Sequence, residues 1–489
     1  VRRHDKIVIE SFYNTTIFLF FLIMVLITDK TLEQEANKLL EKSIIYYQDK
    51  AVGAVAAADS EREALNYDQC FIRDFIPAAL VFLIQGKTDI VYNFLTATVG
   101  LQKQKRRIDC YQPPTGLMPA SFKVESPAEG TQYLHADFGD KAIGRVTPID
   151  SCLWWIILLR AYVKATRDRD LAHSKSFQEA LIFILNICLG PQFEMTPTLL
   201  VPDGACMIDR PMGLSGHPLE IQSLFYMALR AAREMLIKND QNKSLINDIN
   251  SRLGSLNYHL RGYYWLDLKQ LNEIHRYQAE QFGESVVNKF NIYPESIPHW
   301  LTEWMPDRGG YLAGNLGPGK MDFRFFTLGN LTAIMGSLTT EKQSEDILTL
   351  IENRWSDLVC KMPMKLCYPA IEGLTWRIIT GCDPKNTPWS YHNGGSWPVL
   401  LWMMMAACQK MGREDLADRA MAIAEIRLMN DQWPEYYDGI NGRLIGKSSR
   451  KFQTWTIAGW LLAKLLRDNP DCLDYVCFEE DTEAIACTI

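Results

Sequence analysis

The stretch HPLEIQSLFYMALRAAREMLI, His217–Ile237, repeats apolar residues at intervals of three and four. That spacing lays them on one face of a helix. The same pattern recurs over 31–48, 71–86, 89–104, 150–167, 176–189, 243–260, 323–338, 341–357, 396–411, 414–428 and 452–467, which makes twelve helices in all. Thr31 and Thr340 stand where N-caps belong. Alternating strand-like runs are few, and no strand–helix–strand rhythm appears. Twelve helices in one chain fit an all-α (α/α)6 barrel, six inner helices ringed by six outer ones. A helical solenoid or two bundles are the alternatives, and the lack of a fixed repeat of 30–45 residues weakens the solenoid.

No Ser/Gly linker divides the chain, so one catalytic domain is expected over 31–468. Residues 1–30 stand apart. They carry the apolar run Ile17–Ile27 behind Arg2, Arg3 and Lys6, too short for an ordinary transmembrane helix and followed by no small-residue cleavage site. This run is treated as a targeting remnant or an artefact of where the sequence begins, and no stable membrane insertion is expected of it. Residues 469–489 form an acidic tail, expected to be peripheral.

The 489 residues are 47% apolar and 22% charged, the composition of a globular protein with a large core. A net charge of −7 argues against nucleic acid as a partner, because such binders show a basic face. Twelve cysteines lie scattered in apolar contexts such as Cys152 and Cys188, as buried reduced thiols do in a cytosolic or organellar enzyme. Neither they nor the eight histidines fall at metal-ligand spacing, so no metal or cofactor is expected. Thirteen Trp and 20 Tyr supply flat faces on which sugar rings can stack.

The long connections 105–149, 190–216, 261–322 and 358–395 are rich in Gly, Pro, Trp and Tyr. Connections of that length in a compact domain usually carry function. Eight stretches mix charged, aromatic and turn residues: NYDQCFIRDF (66–75), AIGRVTPIDSCLWW (142–155), DGACMIDRPMG (203–213), GHPLEIQ (216–222), MDFRFFTLGN (321–330), YHNGGSWP (391–398), WPEYYDG (433–439) and FQTWTIAGW (452–460). Together they predict a polar cleft at one end of a helical scaffold.

Glycoside hydrolysis needs one carboxyl group to protonate the leaving oxygen and another to activate water or attack carbon. Asp209 reads equally well as a general acid and as a partner of Arg210 or a turn cap. Glu435, between Pro434 and Tyr436, sits where aromatic neighbours can desolvate it, while Asp438 fits a turn with Gly439. Acids recur beside Arg or amide groups: Arg73 with Asp74, Arg145 with Asp150, Glu220 with Gln222, Asp322 with Arg324. Such pairs clamp sugar hydroxyls, and each also reads as an ordinary structural pair. His217 before Pro218 can be a turn residue at a helix start.

These stretches resemble the alkaline/neutral invertases, glycoside hydrolase family 100. The carrying motifs are ALNYDQCFIRDFIPAAL, GLMPASFKV, DFGDKAIGRVTPIDSCLWWIILLRAY, PTLLVPDGACMIDR, GHPLEIQSLFY, YHNGGSWPVLLW and WPEYYDG, from about Leu32 to about Leu466. The resemblance implies the (α/α)6 barrel, a strict preference for sucrose, inversion of configuration and assembly into a homo-oligomer. It places the general acid at Asp209 and the general base at Glu435. Arg73, Asp74, His217, Glu220, Gln222, Asp322, Arg324, His392 and Asn393 become candidates for sugar-hydroxyl contacts, and Trp397, Tyr436 and Trp455 candidates for the cleft walls. Pro211 and Ser215 depart from the family pattern near the acid. A cytoplasmic enzyme is expected, with plastid or mitochondrion as the alternative. Another helical-barrel glycosidase, such as an α-glucosidase or trehalase relative, and a non-catalytic sugar binder are the competing readings.

Overall fold

The computed structural model describes residues 31–103, 114–128, 130–141, 146–190, 196–201, 206–276, 292–317 and 320–481. The apolar run Ile17–Ile27, Arg145 and the end of the acidic tail lie outside them.

Twelve helices build the barrel. They are α1 (31–42), α2 (Ile72–Ile84), α3 (Thr88–Leu101), α4 (Ile149–Thr166), α5 (Lys175–Cys188), α6 (Leu219–Met235), α7 (Lys243–His259), α8 (Thr327–Met335), α9 (Glu341–Asn353), α10 (Leu401–Lys410), α11 (Glu414–Glu425) and α12 (Thr454–Asp468). The even-numbered helices pack each on the next, and α12 packs back on α2, so the inner ring closes. Burial separates the two layers. In α4 every residue from Ile149 to Val163 is buried, and α8 is buried along its whole length. A helix apolar all round has no solvent face to offer. The outer α9 buries only Ser344, Ile347, Leu348, Leu350 and Ile351, a single stripe. In α1 the stripe is Leu32, Ala36 and Leu40.

Where boundaries differ from expectation, turn chemistry explains it. The helix expected over 31–48 stops at 42, and Ile44–Tyr47 pairs with Lys50–Ala54 across Gln48 and Asp49, both left-handed (φ 49° and 62°). The helix expected over 323–338 begins at Thr327, because Phe325–Phe326 pairs with Cys367–Tyr368. The one expected over 396–411 begins at Leu401, after a 3-10 turn opened by Pro398. The loops also hold more strand than expected. Cys70–Phe71, Ser121–Ala128 and Thr131–Asp137 form a three-stranded antiparallel sheet, and Trp265–Asp267 pairs with Gly310–Leu312. These ladders give the long connections their backbone partners.

The six inner helices run the same way, so their N-termini gather at one end of the barrel. Arg73 and Asp74, Asp150, Glu220 and Trp455 occupy the first turns of α2, α4, α6 and α12 at that end. At the other end Arg160, Arg230, Arg233 and Lys410 crowd the C-termini, where cations meet the negative ends of the helix dipoles.

The tail expected to be peripheral closes that second end instead. Phe478 is buried, with Arg160 and Arg230 at 3.9 and 4.9 Å from its ring centre. Asp481 is buried between Arg233 (2.6 Å) and Arg230 (3.6 Å). The tail's negative charge is drawn in by the cations that the helix ends collect. No helix among the described residues is long and apolar enough to cross a membrane, and the ten cysteines among them are free.

Candidate active site

At the N-terminal end of the inner ring a cleft of about 710 Å³ opens, lined among others by Tyr67, Arg73, Asp74, Asp209, Lys385, Tyr391, His392, Glu435 and Trp455. Two carboxyl groups face it in unlike surroundings.

Asp209 follows buried Met207 and Ile208, which fix the loop against the core. The guanidinium of Arg73, one residue into α2, gathers the acids around it. It reaches Asp209 Oδ2 at 3.3 Å, Asp150 Oδ2 at 2.9 Å and Asp74 Oδ1 at 3.4 Å, and donates to the Cys206 carbonyl. Three carboxylates on one cation cannot all be neutralised by it. Burial raises the Asp209 carboxyl above its ordinary range, against the pull of Arg73, Arg210 and Lys385. Burial likewise pushes Asp74 up to about 7. His392 lies 3.5 Å from Asp209 Oδ1, but burial, with Arg210 and Arg73 nearby, holds its imidazole well below the usual range. A neutral imidazole makes no ion pair, so this contact does not oppose the rise at Asp209.

Glu435 is presented by an irregular segment. Gln432 and Trp433 are left-handed (φ 62° and 53°), and the Glu435 amide donates to the Arg450 carbonyl at 2.8 Å. Buried Trp433 and Tyr436 flank it. Its Oε1 accepts from the Tyr67 hydroxyl at 2.8 Å and lies 3.5 Å from that of Tyr391. Its Oε2 is 3.4 Å from Lys385 Nζ. Burial and the Glu435 charge push the Tyr67 phenol far up, so it stays a donor. Asp438 takes the turn role, its Oδ1 accepting from the Ile440 amide at 3.0 Å.

Asp209, Glu435, Arg73, Asp74, His392 and Trp455 thus all line the cleft. The other eight candidate contacts stand behind it and hold its frame. Gln222 pins Leu199 through both its backbone groups, at 2.8 and 2.9 Å. His217 bonds Thr198 at 2.9 Å and, through its amide, Asn315 at 2.9 Å. Glu220 is buried beside Cys206 and the Ile208 backbone. Asp322 and Arg324 pair with each other at 2.9 Å, and Arg324 donates to the Met212 carbonyl at 2.8 Å. Asn393 brackets the backbone of Ile371, at 2.7 and 2.9 Å. Trp397 and Tyr436 are fully buried and stack on each other at 5.3 Å. Apart from Glu220, these side chains spend their hydrogen bonds inside the loops rather than toward a ligand.

Tyr67, Tyr391, Arg210 and Lys385 also line the cleft without having been site candidates. Tyr67 and Tyr391 lie within stretches recognised as mixed, so their context was visible and their aim was not. Arg210 was read only as a partner of Asp209, yet its Nη1 pairs with Asp383 at 2.7 Å. Lys385, in the Asp-Pro-Lys-Asn turn, looks like an ordinary solvated charge and gives no local signal. Asp150 pairs with Arg73 at 2.9 Å; its expected partner Arg145 lies outside the described residues.

An (α/α)6 barrel with two carboxyl groups in contrasting environments across a polar, aromatic-walled cleft is the apparatus of a glycoside hydrolase. The chain belongs to the alkaline and neutral invertase family, whose model matches residues 36–470. It is 57% identical to neutral/alkaline invertase 1, mitochondrial, of Oryza sativa subsp. japonica over 94% of this chain and 75% of that one. Cytosolic invertase 1 of the same plant is 53% identical over 91% of this chain and 80% of that one. Alkaline/neutral invertase E, chloroplastic, of Arabidopsis thaliana is 55% identical over 93% and 75%. Among solved structures, the GH63 mannosylglycerate hydrolase of Thermus thermophilus shares the fold with a TM-score of 0.54 at 12% identity, over 88% of this chain and 99% of that one. A bacterial glucoamylase bound to acarbose shares it with a TM-score of 0.55 at 11% identity, over 94% and 57%.

Proposed function

We propose that this glycoside hydrolase cleaves sucrose into glucose and fructose with inversion, Asp209 acting as general acid and Glu435 as general base. Asp209 gives its proton to the glycosidic oxygen as that oxygen leaves the anomeric carbon. Glu435 takes a proton from a water whose oxygen bonds to the same carbon from the opposite face. Inverting pairs stand about 6.5–9.5 Å apart to leave room for that water. The contrast between the two carboxyl groups carries the reading. Burial raises the Asp209 carboxyl, the direction an acid needs, while Glu435 accepts from Tyr67 and faces the Lys385 ammonium, partners that suit a carboxylate. The substrate follows from the family and from the invertase names of its relatives.

Sucrose hydrolysis by Asp209→Asn and Glu435→Gln beside the unaltered chain tests the assignment. Both variants should fold and lose turnover; substantial hydrolysis by Asp209→Asn would refute the acid. Maltose and trehalose in the same assay separate sucrose specificity from a broader glucosidase. Proton NMR of the first-formed glucose reads the stereochemistry, β-glucose marking inversion at the glucosyl carbon. The same proposal includes a homo-oligomer, read by light scattering, and a cytoplasmic site of action with plastid or mitochondrion as the alternative, read by localising the full chain.

A further inference from the structure

The turn Gly381–Asn386 holds two charged residues of the cleft, Asp383 and Lys385. It follows the short helix Gly373–Thr380, and Gly381 and Cys382 are both left-handed (φ 62° and 61°), which swings the chain back toward the cleft. The turn is fixed from within. Asp383 Oδ1 accepts from the Lys385 amide at 3.0 Å, and the Asn386 amide donates to the Asp383 carbonyl at 3.2 Å. It is fixed from behind as well. Asn386 is fully buried, its Oδ1 accepts from the His392 amide at 3.0 Å, and its carbonyl accepts from Trp376 Nε1 at 2.6 Å and Asn393 Nδ2 at 3.3 Å.

From this anchored base two side chains reach the two halves of the site. Asp383 Oδ2 holds Arg210, the neighbour of the acid, at 2.7 Å. Lys385 Nζ stands 3.4 Å from Glu435 Oε2 and 3.3 Å from the Tyr67 hydroxyl. Both cations lie over the Tyr391 ring, Lys385 at 3.8 Å and Arg210 at 5.3 Å from its centre. Burying an ammonium is unfavourable unless its position is used.

We propose that this turn is a positioning device shared by the two catalytic carboxyl groups: Lys385 orients Glu435, and Lys385 together with the Asp383-held Arg210 adds to the positive field that Arg73 sets at Asp209. The inference rests on the acid–base reading above. Asp209 is faced by Arg73 and Asp74 from α2, by Asp150 from α4, by Arg210 beside it, by Tyr67, Tyr391 and His392, and by Lys385 from the turn. Lys385 is faced by Glu435, Tyr67, Tyr391, Arg210 and Asp209.

The signs differ for the two turn residues. Removing the Lys385 cation lets Asp209 keep its proton to higher pH, so the alkaline limb of kcat/KM moves up. Removing the Asp383 anion leaves Arg210 uncompensated, so the limb moves down. Lys385→Met should lower kcat at least about tenfold, a modest part of general acid–base catalysis. It should raise the alkaline limb by about half a pH unit or more. Lys385→Arg should restore the limb. Asp383→Asn should shift it the opposite way. Circular dichroism of each variant establishes folding. A residue that only supports the loop would lower the rate and leave the limb in place, so an unmoved limb in folded Lys385→Met overturns the proposal. If Asp209→Asn still hydrolyses sucrose, the acid assignment fails. If that variant is dead and the limb does not move, only the shared role of the turn fails.

Discussion

Burial raises the carboxyl of Asp209, and Arg73, Arg210 and Lys385 each oppose that rise. As the proposed acid, Asp209 must carry its proton to act, so activity should fall on the alkaline side as pH climbs through its raised pKa. As the proposed base, Glu435 needs a free carboxylate to take the proton from water. Glu435→Gln keeps the shape and should lower kcat by about 10²–10⁴, the usual contribution of a positioned base, with little change in KM. Steady-state kinetics with sucrose reads this directly. Glu220 is a different case: burial pushes it up to about 7 from 4.5, against the opposing pull of Cys206, Arg73 and the Ile208 backbone, and it does not line the cleft. A carboxyl whose folded pKa is raised favours the folded state while protonated, and that contribution is lost as pH rises from 4.5 through about 7. Glu220→Gln removes the penalty, so it should stabilise the fold at pH 8 relative to pH 5 by about 1–3 kcal/mol. Urea denaturation at the two pH values measures the difference. A variant no more stable at either pH would show that Glu220 is compensated in some other way.

At the scale of elements, the inner and outer helices obey different rules. The outer α9 begins with a capping box, in which the Thr340 hydroxyl accepts from the Gln343 amide while the Gln343 side chain returns to the Thr340 amide. Thr340→Ala should cost about 1 kcal/mol of stability and leave kcat unchanged, since α9 is remote from the cleft. Chemical denaturation alongside a sucrose assay would register both halves of that expectation. This start was legible because a cap is written in four consecutive residues. The start of α8 was not, because the pairing of Phe325–Phe326 with Cys367–Tyr368 joins segments some forty residues apart. The same applies to Asn393. Its stretch stood out as polar among aromatics, but only the fold shows that its side chain holds Ile371 and Asn386.

For the whole molecule, a closed ring of six buried helices divides the labour between its ends. The N-terminal end gathers carboxyl groups around Arg73 and opens to solvent, and the C-terminal end gathers cations and is sealed by Phe478 and Asp481. Ending the chain at Asn469 would strip Asp481 from Arg230 and Arg233. Breaking a buried pair from one side typically costs about 3–5 kcal/mol. Thermal unfolding of the shortened chain should show a clearly lower Tm, with sucrose turnover retained below the new transition. A truncated chain as stable as the full one would mean that the tail only rests on the barrel.

The periodicity of the sequence sufficed for the twelve barrel helices but not for shorter ones within the connections, such as Leu268–Arg276 and Gly373–Thr380, and local context with the family motifs singled out Asp209 and Glu435 among 58 acidic residues. Both kinds of information are local, because a helix face repeats within a few residues and a motif is contiguous. Which polar residues reach the cleft was decided by tertiary structure alone. Gln222, Asn393 and Arg324 spend their hydrogen bonds on loop backbone, while Lys385, unremarkable in its turn, arrives beside Glu435 from fifty residues away. A carboxylate's protonation and orientation depend on charges and burial within a few ångströms, and those neighbours come from α2, from the 381–386 turn and from the loop before α10, segments that only the closed barrel brings together.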